Sequence, residues 1–209
     1  MPTLQYSIAV NGVGGSISKT ISRTGDGGVI AEITVAVGEA GTLTTRTNDT
    51  SGTITMSDGG HGIATSDNVN VFWSGGVAYD VTVGSVSGTS VPISGASGDA
   101  LPVATTAVVV AVRQTFNVSI DGDELGLLAL LADYSSSSET SKSHVQFLDS
   151  GSAEVAEIDL TALEPRVYDI TGGDTNPFTG NVIASGAAAN ASTSNALTLK
   201  ILAVQDATP

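Results

Sequence analysis

The stretch from Ser57 to Leu101 restricts the possible folds of this chain more than any other. Short runs of alternating apolar and polar residues follow one another there, separated by clusters of Gly, Asp and Ser. In the run NVNVFW, Val69, Val71 and Trp73 fall on one face and the residues between them on the other. Alternation of period two indicates half-buried strands, and turns at short intervals indicate antiparallel neighbours. We therefore predict a small antiparallel β-barrel.

The composition favours short strands built from small side chains. Hydrophobic residues make up 41% of the chain but aromatic residues only 4%, and there are 25 glycines. Valine and isoleucine are stiff at χ1 and suit a pleated sheet, while glycine favours turns. Few aromatic side chains mean little buried area per core residue, so we expect the chain to gain stability by forming a homo-oligomer.

The charge excludes some classes of partner. Seven basic residues face 21 acidic ones, for a net charge of -14. Because phosphate groups are bound through Lys and Arg, we expect no nucleic-acid partner and no anionic membrane surface. The longest apolar run, Ala107–Val112, is far shorter than the roughly 20 residues of a membrane helix. The chain has no cysteine, which excludes disulfides and cysteine-based metal sites.

Strand patterns also flank the barrel region. LQYSIAV from Leu4 and the alternating residues 16–23 predict a first hairpin, and 29–37 and 154–160 predict further strands. We predict an all-β fold: an outer antiparallel β-sandwich of residues 1–40 plus 114–209, with a small β-barrel of residues 41–113 inserted. Residues 41–46 read as a connector into the barrel. Three modules in series are the alternative.

One segment predicts a short buried helix. Asp121 can cap it, and Glu124 stands three residues further on, as in a capping box. In the run LGLLALLA that follows, Leu125, Leu128 and Leu131 fall on one helical stripe. A helix this apolar would be buried in the core or against a neighbouring subunit.

The barrel region resembles a known structural repeat. The order GHGIATSDNVNVFW, then YDVTVGSVSGTSVPI, resembles a small β-barrel repeat of phage virion and tail-associated proteins, also described in ubiquitin-activating enzymes. The resemblance covers about Gly52 to Arg113 and implies a structural module without catalysis. Where the repeat usually has Gly before the aspartate, this chain has Ser66. The matching positions are Gly60, His61, Gly62, Ile63, Thr65, Asp67, Val69, Val71, Tyr79 and Val81.

The residues that could carry chemistry favour structural roles. His61 lies between two glycines, which indicates a tight corner, and His144 begins a strand at a surface or interface position. The acidic cluster at Asp121 lacks later ligands of a calcium loop, although a calcium ion held between subunits stays open. Gly12–Gly15 precedes a strand, which indicates a hairpin turn and no phosphate loop. We assign no catalytic, cofactor-binding or metal-binding residue.

Together these features predict a virion structural protein, most simply a capsid decoration (cement) protein on the exterior of a tailed-phage capsid. Such a protein would be a homo-oligomer, with a trimer favoured, and would brace the major capsid protein or neighbouring virion subunits. A tail tube or tail-tip protein is the alternative, and a carbohydrate- or receptor-binding module, which Trp73 could serve, is a third. The expected interaction residues are Trp73, Phe72, Tyr79, Leu125, Leu128 and Leu131.

Overall fold

A computed structural model describes residues 3–12, 15–24, 27–36, 38–117, 125–134, 142–149, 151–161, 166–169, 182–187 and 197–205. The described part of the chain is all-β, as predicted. It contains no helix long and apolar enough to cross a membrane. The strands are β1 (Thr3–Gly12), β2 (Gly15–Thr24), β3 (Gly27–Val35), β4 (Glu39–Asn48), β5 (Ser51–Met56), β6 (Asn68–Trp73), β7 (Gly76–Val83), β8 (Ser90–Ser94), β9 (Ser97–Gly98), β10 (Thr106–Val112), β11 (Gln114–Phe116), β12 (Leu125–Tyr134), β13 (Lys142–Leu148), β14 (Glu154–Thr161), β15 (Arg166–Asp169), β16 (Val182–Ala187) and β17 (Leu197–Gln205).

Six strands, β4 to β8 and β10, close into the predicted barrel. Their order is β6-β10-β4-β5-β8-β7, and β7 pairs back to β6. Every pairing in this ring is antiparallel. Closure removes the free edges that an open sheet would present to other chains. The short strand β9 pairs with β7 outside the ring.

Small aliphatic side chains fill the barrel. Because six strands leave a narrow interior, Val, Ile and Leu fit it where large aromatic rings would not. Fully burying one such side chain stabilises the fold by about 1.5–3 kcal/mol. The aromatic-poor composition is thus matched to this core. The buried residues are Leu43, Ile54, Met56, Ile63, Val69, Val71, Ala78, Val81, Val83, Val91, Ile93, Ala96, Leu101, Val108 and Val110.

The predicted connector at residues 41–46 is wrong, because these residues belong to β4. This strand lies between β5 and β10 and completes the ring. Its inward positions are Gly41 and Leu43, and a Cβ at Gly41 would lie 2.7 Å from Ile54 Cγ2. The glycine therefore allows the two strands to approach closely, but it contributes no apolar residue to the sequence pattern.

The predicted helix at Leu125–Ala132 is also wrong, because this segment forms β12. Strand β12 lies between β15 and β17 and pairs with β17 from Leu125 to Tyr134. A continuous apolar run of this length suits either a buried helix or a strand covered on both faces, and its local pattern does not separate the two. Antiparallel pairing with β15 on one side and β17 on the other makes this segment a strand. The capping residues proposed at 121 and 124 lie outside the described residues.

The remaining strands form three further sheets. One has the order β11-β16-β13-β14 and another β15-β12-β17-β3. Strands β1 and β2 form the predicted first hairpin as a two-stranded sheet. Strand β3, before the barrel, pairs with β17 near the other end of the described chain. The division into an outer domain and an inserted barrel stays a prediction.

Candidate functional site

The glycine–histidine corner of the resemblance is a hydrogen-bonded turn of the barrel. The His61 ring is buried, and its Nδ1 accepts the Ile63 amide at 3.1 Å. Its Nε2 lies 3.1 Å from the Gly88 carbonyl oxygen. The tautomer that satisfies both bonds carries the proton on Nε2 and donates it to Gly88. With both ring nitrogens engaged, His61 ties one loop to another and has no lone pair for a metal, which agrees with the corner interpretation.

The following turn is held by Asp67 and Thr65. Asp67 Oδ2 accepts the Ala64 amide at 2.7 Å, and Thr65 Oγ1 accepts the Val86 amide at 3.0 Å. Between them Ser66 adopts φ 71°, in the left-handed region that favours glycine. The backbone at Ser66 therefore adopts a conformation that glycine takes more easily than serine.

A bulge in β7 directs two polar residues away from the barrel. Val69 pairs with Val81 and Val71 with Ala78, so Tyr79 and Asp80 together oppose Asn70. Asp80 adopts φ 58°, and its amide donates to Asn70 Oδ1 at 3.2 Å. Such bulges re-aim side chains at the rim of a sheet.

The outer face of the barrel is apolar next to this bulge. Phe72, Val77 and Ala111 are buried in a cluster separate from the barrel core, with Tyr79 and Val109 packed against it. Alternation along β6 places Phe72 opposite the inward Val71. Strand β16 approaches β6 and β10, so this face is covered by the same chain.

Strands β13 and β14 present a polar face. His144 pairs with Asp159 and Gln146 with Glu157, so the four lie on one side of the sheet. A bulge after Phe147 leaves Val155 unpaired and brings Glu154 to the same side. His144 is 1% and Gln146 2% exposed. Buried polar side chains of this kind require partners. The carboxylates beside His144 lie on β14, while Gln146 bonds both Glu154 on β14 and Arg113 of the barrel.

Direct contacts join the two faces. The Tyr79 and His144 rings stack with centroids 4.5 Å apart and planes 12° apart. Arg113 donates to Asp80 on its own barrel and to Gln146 on β13. We call this set the polar junction: Tyr79, Asp80, Arg113, His144, Gln146, Glu154, Glu157 and Asp159.

Carboxylates surround the histidine of the polar junction. His144 Nδ1 lies 2.8 Å from Asp159 Oδ1. Its Nε2 lies 3.3 Å from Glu157 Oε1 in a geometry that makes no hydrogen bond within the described part of the chain. Gln146 Nε2 donates to Glu154 Oε2 at 2.8 Å.

Two groups in the polar junction have shifted proton affinities. Burial raises the pKa of Glu157, the positive charge of His144 opposes that rise, and Glu154 adds to it by repulsion and a hydrogen bond. Burial also raises the pKa of Tyr79, together with the negative charges of Glu157, Asp159 and Asp99 and a hydrogen bond to Glu157. The polar junction thus favours a proton on the Glu157 carboxyl and on the tyrosine hydroxyl.

The geometry of the polar junction fastens one part of the chain to another. The Tyr79–His144 stack and the Arg113–Gln146 hydrogen bond run between the barrel and the β13–β14 sheet. The Arg113–Asp80 pair lies within the barrel, and the other carboxylate pairs lie within the sheet. Among the described residues no group of three His, Asp or Glu side chains is arranged to hold a metal ion. In the polar junction, positively charged and neutral donors lie between carboxylates. Their many polar contacts fix the position of the β13–β14 sheet on the barrel.

The structure brings together some of the residues predicted to interact and separates others. Phe72 and Tyr79 lie at the polar junction or beside it, in contact with their own chain. Trp73 packs half-buried against the barrel core. Leu125, Leu128 and Leu131 lie on β12. Their role toward other molecules stays a prediction.

Sequence reasoning missed most of the polar junction. His144 is buried inside its own chain and does not lie at the surface. Arg113 and Gln146 were not singled out, although 33 residues apart they form the link across the junction. The alternation of His144 and Gln146 with buried Val145 and Phe147 was the available signal, since it predicts a polar face that needs a cover.

Searches of protein-family models, curated proteins and solved structures found no match to this chain.

Proposed function

We propose that this chain is a structural protein of a tailed-phage virion, and specifically a capsid decoration (cement) protein on the outer shell. The observation that carries the proposal is the hydrogen bonding of the GHG corner. His61, Thr65 and Asp67, which carry the resemblance to a phage virion repeat, all bond backbone groups of the barrel. Because the polar atoms of these residues hold the barrel together, they favour a structural module that serves assembly.

The fold proposed for the outer part is a β-sandwich of residues 1–40 plus 114–209, with the barrel of residues 41–113 inserted. Two buried apolar sheet faces support it. Val145, Phe147 and Leu160 share the face of β13–β14 opposite the polar junction, and Leu199 and Ile201 are fully buried on β17. Two apolar sheet faces stabilise each other by packing about 10 Å apart. The approach of β16 to β3 and of β12 to β14 fits this arrangement.

The proposed mechanism is non-covalent bracing. Subunits, with a trimer favoured, pack apolar surface across the major capsid protein or neighbouring virion subunits. The net charge of -14 would repel packaged DNA, so the acidic surface faces outward. An acidic face turned toward the genome in a reconstruction of the particle would contradict this orientation.

Quantitative mass spectrometry of purified virions tests the location. We expect copy numbers on the scale of the major capsid protein. Abundance on the scale of tail proteins, with ring-shaped particles of the purified protein in electron micrographs, would support the tail tube alternative instead. Absence of the chain from purified virions would overturn the proposal.

The carbohydrate-binding alternative has less support. It depends on Trp73 as a stacking platform, but the indole packs against the barrel core, and a Cβ at Gly76 would lie 2.8 Å from its Cζ2. A platform for sugars presents its ring face to solvent. Glycan binding that is lost in Trp73→Ala would revive this alternative.

A further inference from the structure

Strand β14 lies at the edge of its sheet. The sheet has the order β11-β16-β13-β14, and within the described ranges β14 pairs with β13 alone. An edge strand presents a row of backbone N–H and C=O groups with which a further strand can pair. The bulge at Val155 lies near the start of β14, and the register from Ala156 to Thr161 is regular. This part of β14 therefore has the geometry to take up another strand.

The two faces of this edge differ in chemistry. Ile158 and Leu160 are buried on the apolar face, at 8% and 1% exposure. Glu157 and Asp159 lie on the opposite face, in the polar junction, with side chains 31% and 59% exposed. Because side chains alternate along a strand, a strand added beside β14 would place every second residue next to these carboxylates. Its other residues would extend the apolar face.

The Lys and Arg side chains that the structure describes do not balance the negative charge at this edge. Strand β14 contains three acidic residues and no basic one. Arg113, the guanidinium of the polar junction, bonds Asp80 and Gln146. Lys142 lies on the same face only by its register position, at the far end of β13. A cation from another molecule would therefore find carboxylates here without a basic partner.

A buried histidine nitrogen points at the same carboxylates. His144 is 1% exposed, and its Nε2 has no hydrogen-bond partner although Glu157 Oε1 lies 3.3 Å away. Glu157 instead hydrogen-bonds with Glu154 and with Tyr79. Since an ionised carboxylate only accepts hydrogen bonds, two carboxyl groups bonded to each other hold a proton between them. The shared proton and the unpaired nitrogen both indicate a site that lacks a positively charged ligand.

Charge also decides against a second copy of β14 as the added strand. Two β14 strands paired with each other would bring their acidic residues together, and like charges directly opposite each other destabilise a sheet. Opposite charges across a strand pair stabilise it. The edge therefore favours a basic strand.

We propose that the edge of β14 binds an extended segment of a partner protein in which lysine or arginine alternates with apolar residues. The backbone of the partner pairs with β14, and its basic side chains meet Glu157 and Asp159. Its apolar side chains continue the face of Ile158 and Leu160. The partner is thus recognised by alternation and charge together. The inference goes beyond the proposed function and does not require a virion.

The first test uses the full-length wild-type chain and a synthetic peptide. The peptide alternates lysine and valine over eight residues, the length of β14, and is capped at both ends. We expect binding in isothermal titration calorimetry, with an affinity that falls as salt is added. A control peptide methylated on its backbone nitrogens keeps the charge but cannot donate to β14. It should bind at least about tenfold more weakly.

The second test compares two full-length variants of equal net charge. Glu157→Gln with Asp159→Asn neutralises the acids of the edge, while Asp49→Asn with Asp58→Asn neutralises two exposed acids of the barrel. The edge variant should bind the lysine–valine peptide at least about fivefold more weakly than the wild type. The barrel variant should stay within about twofold of the wild type. Circular dichroism shows whether the sheets form in each variant, and the methylated peptide tests the proposal on the wild type alone.

Four outcomes would overturn the proposal. The first is a wild-type chain that does not bind the lysine–valine peptide. Equal binding of the methylated peptide, or equal weakening in both variants, would mean that net charge alone attracts the peptide. A dimer of the wild type that the edge variant loses would assign the edge to a second copy. None of these measurements uses virions, so this proposal and the proposed function fail independently.

Discussion

The ring of Tyr79 lies flat against the ring of His144, 65 positions later in the chain, with centroids 4.5 Å apart. Tyr79 stands on the β7 bulge of the barrel and His144 on the polar face of β13. Gly98 also lies against the tyrosine, since a Cβ there would lie 2.4 Å from the Tyr79 ring. The stack therefore depends on a bulge, a glycine and a buried histidine at once.

Replacing Gly98 by alanine should break this stack. Gly98 adopts φ 77°, so alanine introduces backbone strain as well as the clash with Tyr79. We expect a loss of roughly 2–3 kcal/mol in the free energy of unfolding, measured by urea denaturation. Gly95→Ala is the matched control, with φ 76° and nothing within 4 Å of its Cβ. Equal losses in the two variants would show that the ring contact contributes nothing.

Replacing His61 by leucine should destabilise the barrel through unpaired backbone groups. Leucine is of moderate size like histidine, but it removes the acceptor for the buried Ile63 amide and the donor to Gly88. A buried group left without its partner costs about 1–3 kcal/mol. Thermal or urea denaturation measures the change. Asp58→Ala, which removes an exposed bond to the Gly60 amide in the same corner, should cost less. A smaller loss in His61→Leu than in Asp58→Ala would contradict the assigned role.

Replacing Ser66 by glycine should stabilise the chain slightly. The left-handed φ of 71° is strained for serine and free for glycine. Glycine also has more conformational freedom in the unfolded chain, which offsets part of this relief. We therefore expect the free energy of unfolding to rise by only roughly 0.5 kcal/mol. Ser85→Gly, at an exposed position outside the left-handed set, should instead lower stability by a similar amount. The same sign of change in both variants would be incompatible with strain at Ser66.

The free energy of unfolding should depend on pH in part through the ionisation of Glu157. Its folded-state pKa lies above the ordinary value of 4.5, chiefly because the carboxyl is partly desolvated. The folded state therefore binds the proton more tightly, and this contribution is fully present below about pH 4.5. It is lost as the pH rises through the folded-state pKa.

Comparison of the wild type with Glu157→Gln isolates that contribution. The variant cannot ionise at this position, so its stability should fall less than that of the wild type as the pH rises from 4.5 toward neutrality. Urea denaturation across this range measures the difference. A Glu157→Gln slope equal to the wild-type slope would refute the assignment.

The barrel was predictable because its signals are local. The alternation of Val69, Val71 and Trp73 gave the inward face of β6, and the glycines and aspartates gave the turns. Strand β4 was missed because Gly41 and several threonines interrupt the alternation of apolar and polar residues. Only the pairing with β5 and β10 identifies this segment as a strand. Apolar periodicity does not report a strand whose inward residues include glycine.

The sequence by itself determined the all-β character, the barrel strands from Ser51 onward and the strongly acidic charge, because these follow from side chains a few residues apart. Only the tertiary structure decided that the leucine run of β12 is a strand between β15 and β17, since an apolar run fits helix and strand equally until its neighbours are present. The meeting of Tyr79, Arg113 and His144 was decided in the same way. Strand register sets which distant side chains share a buried space, and register depends on every pairing in the sheets together.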